Sequence, residues 1–303
     1  MLTGPAKRGD GSPMIEMHRA RPEEAPGAAA LWRAVFGDGD ALIRRYYDLC
    51  ASYDRQLALT EGGEVRSILS VPEMALSFPN GRTLRAGYIY ALATRPGDRG
   101  KGYAAGLLRY AEALLRDGGC DCAVTVPAQR SLFRFFGTQG YAPAFSYLRA
   151  ELTPADLPDD LPGKDALTIP TPGQYAALRR ALLAGRFYAD LGEAGAAFQH
   201  YLSRESGAGM YLLTLPGGDG GAAAELEGDC LTVKELLGAD AAIPAAAALL
   251  LRRHSARRCV LRLPPWSAFP GESVPFGAVR WLFGRPSPWC PPGAGGYLGC
   301  AFD

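Results

Sequence analysis

The six residues Arg99-Gly100-Lys101-Gly102-Tyr103-Ala104 put two glycines and two cations within one short stretch. Glycine turns tightly and adopts left-handed backbone at little cost. Two of them this close can aim consecutive N–H groups into one concavity, which suits an anion. If a helix begins there, its unpaired first amides and its dipole add to the attraction. The chemistry this stretch offers is therefore the grip of a phosphate or diphosphate by main chain.

The flanking residues supply the elements such a loop needs. Tyr88 to Thr94 is an aromatic and apolar run closed by Arg95-Pro96-Gly97, which suits a strand buried on both faces and stopped by a turn. From Tyr103 onward Leu107, Leu108, Ala111, Leu114 and Leu115 recur every three or four residues until Gly118-Gly119, the pattern of an amphipathic helix. A second apolar strand, Cys120 to Val126, follows. A Walker A loop would need Gly-Lys-Ser/Thr, whereas Lys101 is followed by Gly102-Tyr103. A dinucleotide fold would need a carboxylate closing the next strand, and Val126-Pro127 offers none.

Arg99 to Ala104 fits Gln/Arg-x-x-Gly-x-Gly/Ala, and in this it resembles the pyrophosphate signature of the GCN5-related N-acetyltransferases (GNAT). Residues Pro127 to Tyr141, closing on Gly140-Tyr141, are similar to that family's fourth helix and its terminal Gly-Phe/Tyr. The resemblance implies acetyl-CoA as cosubstrate and a primary amine on a small molecule or peptide as acceptor. It implies that Leu92, Ala93 and Thr94 meet the pantetheine arm. It also implies that Arg99, Gly100, Lys101, Gly102, Tyr103, Ala104 and Ala105 hold the pyrophosphate, with Gln129 where the family often has a cofactor-contacting asparagine.

Acyl transfer to an amine needs a base, a donor to the developing oxyanion and a proton for the leaving thiolate. The backbone at Leu92 and Ala93 is the candidate donor. The family's usual acid is a tyrosine four residues before the closing glycine; here that residue is Phe136, which has no proton to give. Tyr90, Tyr103 and Tyr141 are the nearby replacements. Candidate bases are Glu73, on the strand before the cofactor strand, and Asp303, because tandem enzymes of this kind bring a C-terminal carboxylate to the first active site. A domain that binds acyl-CoA as a sensor or scaffold without turnover is the alternative function.

Along the rest of the first half, Ile15 to Ala20 reads as a strand, followed by a helix to about Phe36 with a buried stripe of Ala30, Leu31, Ala34 and Val35. A second helix covers Ala41 to about Ser52. Trp32, Tyr46 and Tyr47 lie on these helices as core or as the wall of an acceptor pocket. Gln56 to Thr60 and Val65 to Phe78 read as strands, the latter with Pro72 at a bulge or edge, and Thr83 to Thr94 as the next. The proline- and acid-rich residues 153–163 mark a linker.

Beyond the linker the plan repeats. Helices are expected at Gln174 to Ala184, around Phe198 to Ser203 and at Ile243 to Arg253. Strands are expected at Gly209 to Leu215, Ala222 to Glu227, Cys230 to Leu237 and Arg258 to Leu263. Leu236 to Ala242 contains no counterpart of the glycine loop. The expected architecture is an α/β fold, an α+β mixed sheet in two tandem GNAT-like domains, the second degenerate. Its parts are a disordered leader (1–13), a cofactor-binding domain (14–150), a linker (151–170) and a second domain (171–303). The arrangement is similar to the enhanced-intracellular-survival acetyltransferases without their additional sterol-carrier-like domain.

Across 303 residues, 32 basic and 31 acidic side chains leave a net charge of +1. No global field then draws the chain to nucleic acid or to a membrane. Seven cysteines without paired Cys-x-x-Cys spacing and three scattered histidines point to reduced thiols and no metal site. A cytoplasmic protein is expected, with a homo-oligomer left open.

Overall fold

The computed structural model describes residues 14–158, 163, 166–215, 217–283 and 295–303. The expected leader, part of the linker and Cys290 lie outside the described residues. The chain forms two compact units. One takes the described parts of residues 1–73, 85–125 and 280–285; the other takes those of 74–84, 126–279 and 286–303.

The first unit starts with β1 (Ile15–Arg19), a one-turn 3-10 helix, α1 (Ala25–Phe36) and α2 (Asp40–Leu49). Pro22 presets the entry turn, and Glu24 accepts the Arg21 amide at 2.8 Å. Gly37, at φ +81°, ends α1 by donating to the Arg33 carbonyl. The buried face of α1 is Ala28, Leu31 and Trp32. Ala30 and Ala34, expected in that stripe, are both exposed, because the buried face is turned by about one residue so that Ala28 and Trp32 take their place beside Leu31.

Next come β2 (Gln56–Glu61) and β3 (Glu64–Ser70). The single strand expected from Val65 to Phe78 is two: β3 stops before Val71-Pro72, and β4 (Glu73–Ser77) follows. Proline has no N–H to continue a ladder; its carbonyl instead accepts the Tyr88 amide at 2.9 Å. Then follow β5 (Thr83–Thr94), α3 (Tyr103–Asp117) and β6 (Cys122–Thr125). Cys120, expected on that last strand, precedes it. The sheet of this unit runs β1-β2-β3-β5-β6, antiparallel except for the parallel β5/β6 pair that α3 connects. The helix packs so closely on β5 that a Cβ at Gly87 would lie 2.4 Å from the Leu115 side chain.

In the second unit, α4 (Arg130–Thr138) and β7 (Ala142–Leu152) lead into β8 (Leu167–Thr168), α5 (Pro172–Leu182), β9 (Tyr188–Asp190) and α6 (Gly192–Glu205). The chain continues through β10 (Gly209–Leu215), β11 (Gly218–Glu227), β12 (Cys230–Leu237), α7 (Ile243–His254), β13 (Arg258–Leu263) and β14 (Glu272–Trp281). A Thr171/Gln174 capping box and Pro172 start α5. β11 starts four residues before the expected Ala222, and its Gly218, Gly220 and Gly221 pair with Leu215, Leu213 and Leu212. β8, β10, β11 and β12 pair antiparallel in that order, and β12 then runs parallel to β13 through the crossover α7. This repeats the strand plan of the first unit. Residues 126–152 group with this unit because β7 pairs with both β13 and β14.

Candidate acyl-coenzyme A site

The first unit builds its candidate site at the end of β5. β6 accompanies β5 only from Ala86 to Ile89. Beyond that point Ala91 takes φ 51°, a left-handed conformation that a residue with a Cβ adopts at a cost of roughly 1 kcal/mol or more. The register with β3 shifts at the same level. The Ala93 carbonyl accepts the Ser67 hydroxyl at 2.7 Å, and the Arg95 amide donates to the Arg66 carbonyl at 2.9 Å. Ala93 and Arg95 therefore aim these groups toward β3. Strand alternation turns the amides and carbonyls of Leu92 and Thr94 to the opposite edge, the one β6 has left.

Four residues beyond Arg95 the glycine loop opens. Gly100 and Gly102 both adopt φ +82°, and a Cβ built on either would meet nothing within 4 Å. Gly102 caps α3, and the Gly106 amide is the first to bond back into the helix, to the Gly102 carbonyl at 2.9 Å. The amides of Tyr103, Ala104 and Ala105 thus precede the helix's own ladder.

A network of side chains fixes this loop. Asp98, 5% exposed, accepts Lys101 Nζ at 2.7 Å and lies 3.5 Å from Arg66 Nη1. The Lys101 hydrogen bond holds the Asp98 carboxyl below its usual range, and Asp98 in turn raises the Lys101 ammonium. Tyr103 donates its hydroxyl to Glu61 at 2.8 Å, and Glu61 lies 3.6 Å from Arg66. Asp98, Arg66 and Glu61 were not singled out from the sequence. Asp98 three residues before Lys101 was the one readable sign; the links to β2 and β3 are long-range.

The candidate acid and base residues of this unit occupy different surroundings. Trp32 and Tyr46 are 1% and 0% exposed and belong to the core. Trp32 donates to Asp38 at 2.7 Å, and Tyr46 shares a 2.8 Å bond with Ser70. Tyr47 and Tyr90 remain half-buried, with Tyr90 5.1 Å from Tyr46 and 5.7 Å from Tyr88 between ring centroids. Tyr90 directly precedes the Ala91 irregularity, at the level where β5 loses β6. The Tyr103 hydroxyl is committed to Glu61 and pushed up by burial. Glu73 is exposed at the start of β4 and paired with Arg55.

The remaining candidates lie in the second unit. Gln129 is exposed and caps α4. Phe136 is buried against Phe135 and Tyr141. Asp303 is held by Arg262 at 2.7 Å and by Lys234 at 3.7 Å. Burial alone would raise its carboxyl, but Lys234 and Arg262 hold it below the ordinary value. As placed it is a weak base. A carboxyl depressed in the folded state contributes stability above its unfolded pKa of about 3.9, lost as pH falls through the folded value. Asp303→Asn should therefore flatten the acid limb of a melting-temperature profile below about pH 4. An unaltered limb would mean these ion pairs add no net stability.

Residues 16–144 match the family model described as an acetyltransferase (GNAT) domain. The chain thus carries an acetyltransferase domain of the GNAT class, and the glycine loop and open strand edge lie inside it. Among solved structures, a GCN5-related N-acetyltransferase from Kribbella flavida is similar at 19% identity and TM-score 0.67, over 90% of this chain and 72% of that one. Another from Anabaena variabilis aligns at 16% identity and TM-score 0.63, over 89% and 73%. Eis1 from Mycobacterium abscessus aligns at 14% identity and TM-score 0.64, over 89% and 74%. Identities this low speak for the fold alone. No curated protein matches the chain. Among the described residues no helix is long and apolar enough to cross a membrane.

Proposed function

We propose that the chain is a cytoplasmic, acetyl-CoA-dependent N-acetyltransferase acting on a primary amine, built from two tandem GNAT-like domains of which the first binds the cofactor. The observation that carries this reading is the junction of two preformed features: amides 100–105 at the start of α3, and the edge of β5 at Leu92 and Thr94 that β6 leaves uncovered. The first suits a diphosphate, the second an amide-bearing arm, and coenzyme A joins both groups in one molecule.

In the reaction the neutral amine attacks the thioester carbonyl. A C–N bond forms, the C–S bond breaks, and the thiolate leaves while the amine nitrogen loses a proton. The Leu92 N–H, on the open edge, can donate to the developing oxyanion. Tyr90, two residues before Leu92 on the same strand, can protonate the thiolate. Glu73 can take up the amine proton through water.

Thiol release from acetyl-CoA against a panel of sugar amines, polyamines, amino acids and lysine peptides tests the reading. Coenzyme A binding with no release for any amine would leave a sensor or scaffold, the outcome that the buried Phe136 favours. If Tyr90 supplies the proton, Tyr90→Phe should lower kcat by about a hundredfold or more and leave the KM for acetyl-CoA unchanged. An unchanged kcat would assign that proton to solvent.

A further inference from the structure

A second polar concavity lies within the second unit, between the ends of α6 and α7 and the start of β10. It encloses about 430 Å³ and is lined by His200 and Arg204 from α6, Arg253 and His254 from α7, Tyr211 from β10, and Ile169. No carboxylate lines it, and neither arginine forms an ion pair among the described residues. Two guanidinium groups face this space with no counter-charge beside them. An anion entering the cleft would meet both cations and displace only water.

The geometry is also fixed in advance. The Tyr211 hydroxyl lies 2.8 Å from His254 Nε2. Gly207 and Arg253 line the same space beside this pair. Arg253, next to His254 at the end of α7, is exposed at this cavity. On α6, His200 and Arg204 are one turn apart and share a face; His200 Nδ1 is a buried nitrogen with no hydrogen-bond partner among the described residues. Arginines near the ends of α6 and α7 also complement the helix dipoles. That role does not require a cavity of this size. Ile169, 66% exposed, and Met210 supply an apolar margin.

We propose that this cavity binds a small organic oxyanion, a carboxylate or phosphate on a short apolar body, with the oxyanion on Arg204 and Arg253 and the apolar part against Ile169. The site is separate from the acyl-CoA candidate and stands without it.

The chain's three histidines make a direct reporter. Ring C–H resonances are followed at fixed pH while inorganic phosphate, hexanoate or hexan-1-ol is added to the full-length protein. Both anions should shift His200 and His254 but not His18, saturating below roughly 10 mM, and hexanol should shift none. The tighter of the two anions identifies the head group. Arg204→Ala and Arg253→Ala, at exposed positions, should keep the melting temperature and weaken binding by about tenfold each. No shift at His200 and His254 with either anion, or equal affinity in the double variant, overturns the proposal.

Discussion

Replacing Gly102 with tryptophan should weaken coenzyme A binding by more than tenfold, a loss of about 1.4 kcal/mol or more. Two effects act in the same direction. At φ +82° any L side chain strains the backbone, by roughly 1–2 kcal/mol. The space a Cβ would enter is also empty of protein, and it is the space a phosphate would occupy if the loop amides hold one. Alanine in place of Gly102 should show mostly the first effect and tryptophan both. Gly97 supplies the control, since a Cβ there also meets nothing within 4 Å and its φ is not positive. Gly97→Ala should bind like the parent. Calorimetric affinities for coenzyme A decide the matter, with circular dichroism confirming that α3 is intact. Equal affinities for Gly102→Trp and the parent would remove the loop from the site.

The largest effect on stability is expected at Arg179. Its side chain on α5 is held by Glu235 at 3.0 Å and donates to the carbonyls of Ala189 and Leu298 at 2.8 and 2.9 Å. Burial alone would lower its pKa, but Glu235 keeps the guanidinium charged. Glu235 is fully buried and also accepts the Tyr175 hydroxyl at 2.9 Å. Arg179→Ala strands a buried carboxylate and two carbonyls, so urea unfolding should show a loss of about 3–5 kcal/mol. Arg179→Met combined with Glu235→Leu should recover much of that loss, because an apolar pair carries no desolvation penalty. A loss below about 1 kcal/mol for Arg179→Ala would mean that water reaches Glu235.

How much of this was legible in the sequence depended on the range of the interaction involved. The glycine loop, β5 and α3 could be read because their signals are local: a seven-residue apolar run, two glycines and a three-to-four periodicity. The Asp98–Arg66–Glu61 network could not, because which cation meets which carboxylate depends on β2, β3 and the loop being brought together. The break between β3 and β4 follows from Pro72, a residue that in sequence marks a bulge or edge as readily as a strand end. β9 escaped notice because three residues carry no period. β14 escaped because Ser273-Val274-Pro275 breaks the alternation, and its pairing with β7 shifts register twice. Aromatic spacing on α1 and α2 announced a cluster; which rings are sealed and which stay half-open was decided by packing against Ser70 and Tyr90.

The uncovered margin of β5 has a cost that falls on the protein when it is empty. A strand showing its N–H and C=O groups to water is a template that another chain can pair with. A thioester arm lying along Leu92 and Thr94 would occupy those groups as a neighbouring strand does. The cosubstrate would then double as a guard against self-adhesion, and the vulnerable interval of each catalytic cycle would be the one between product release and reloading.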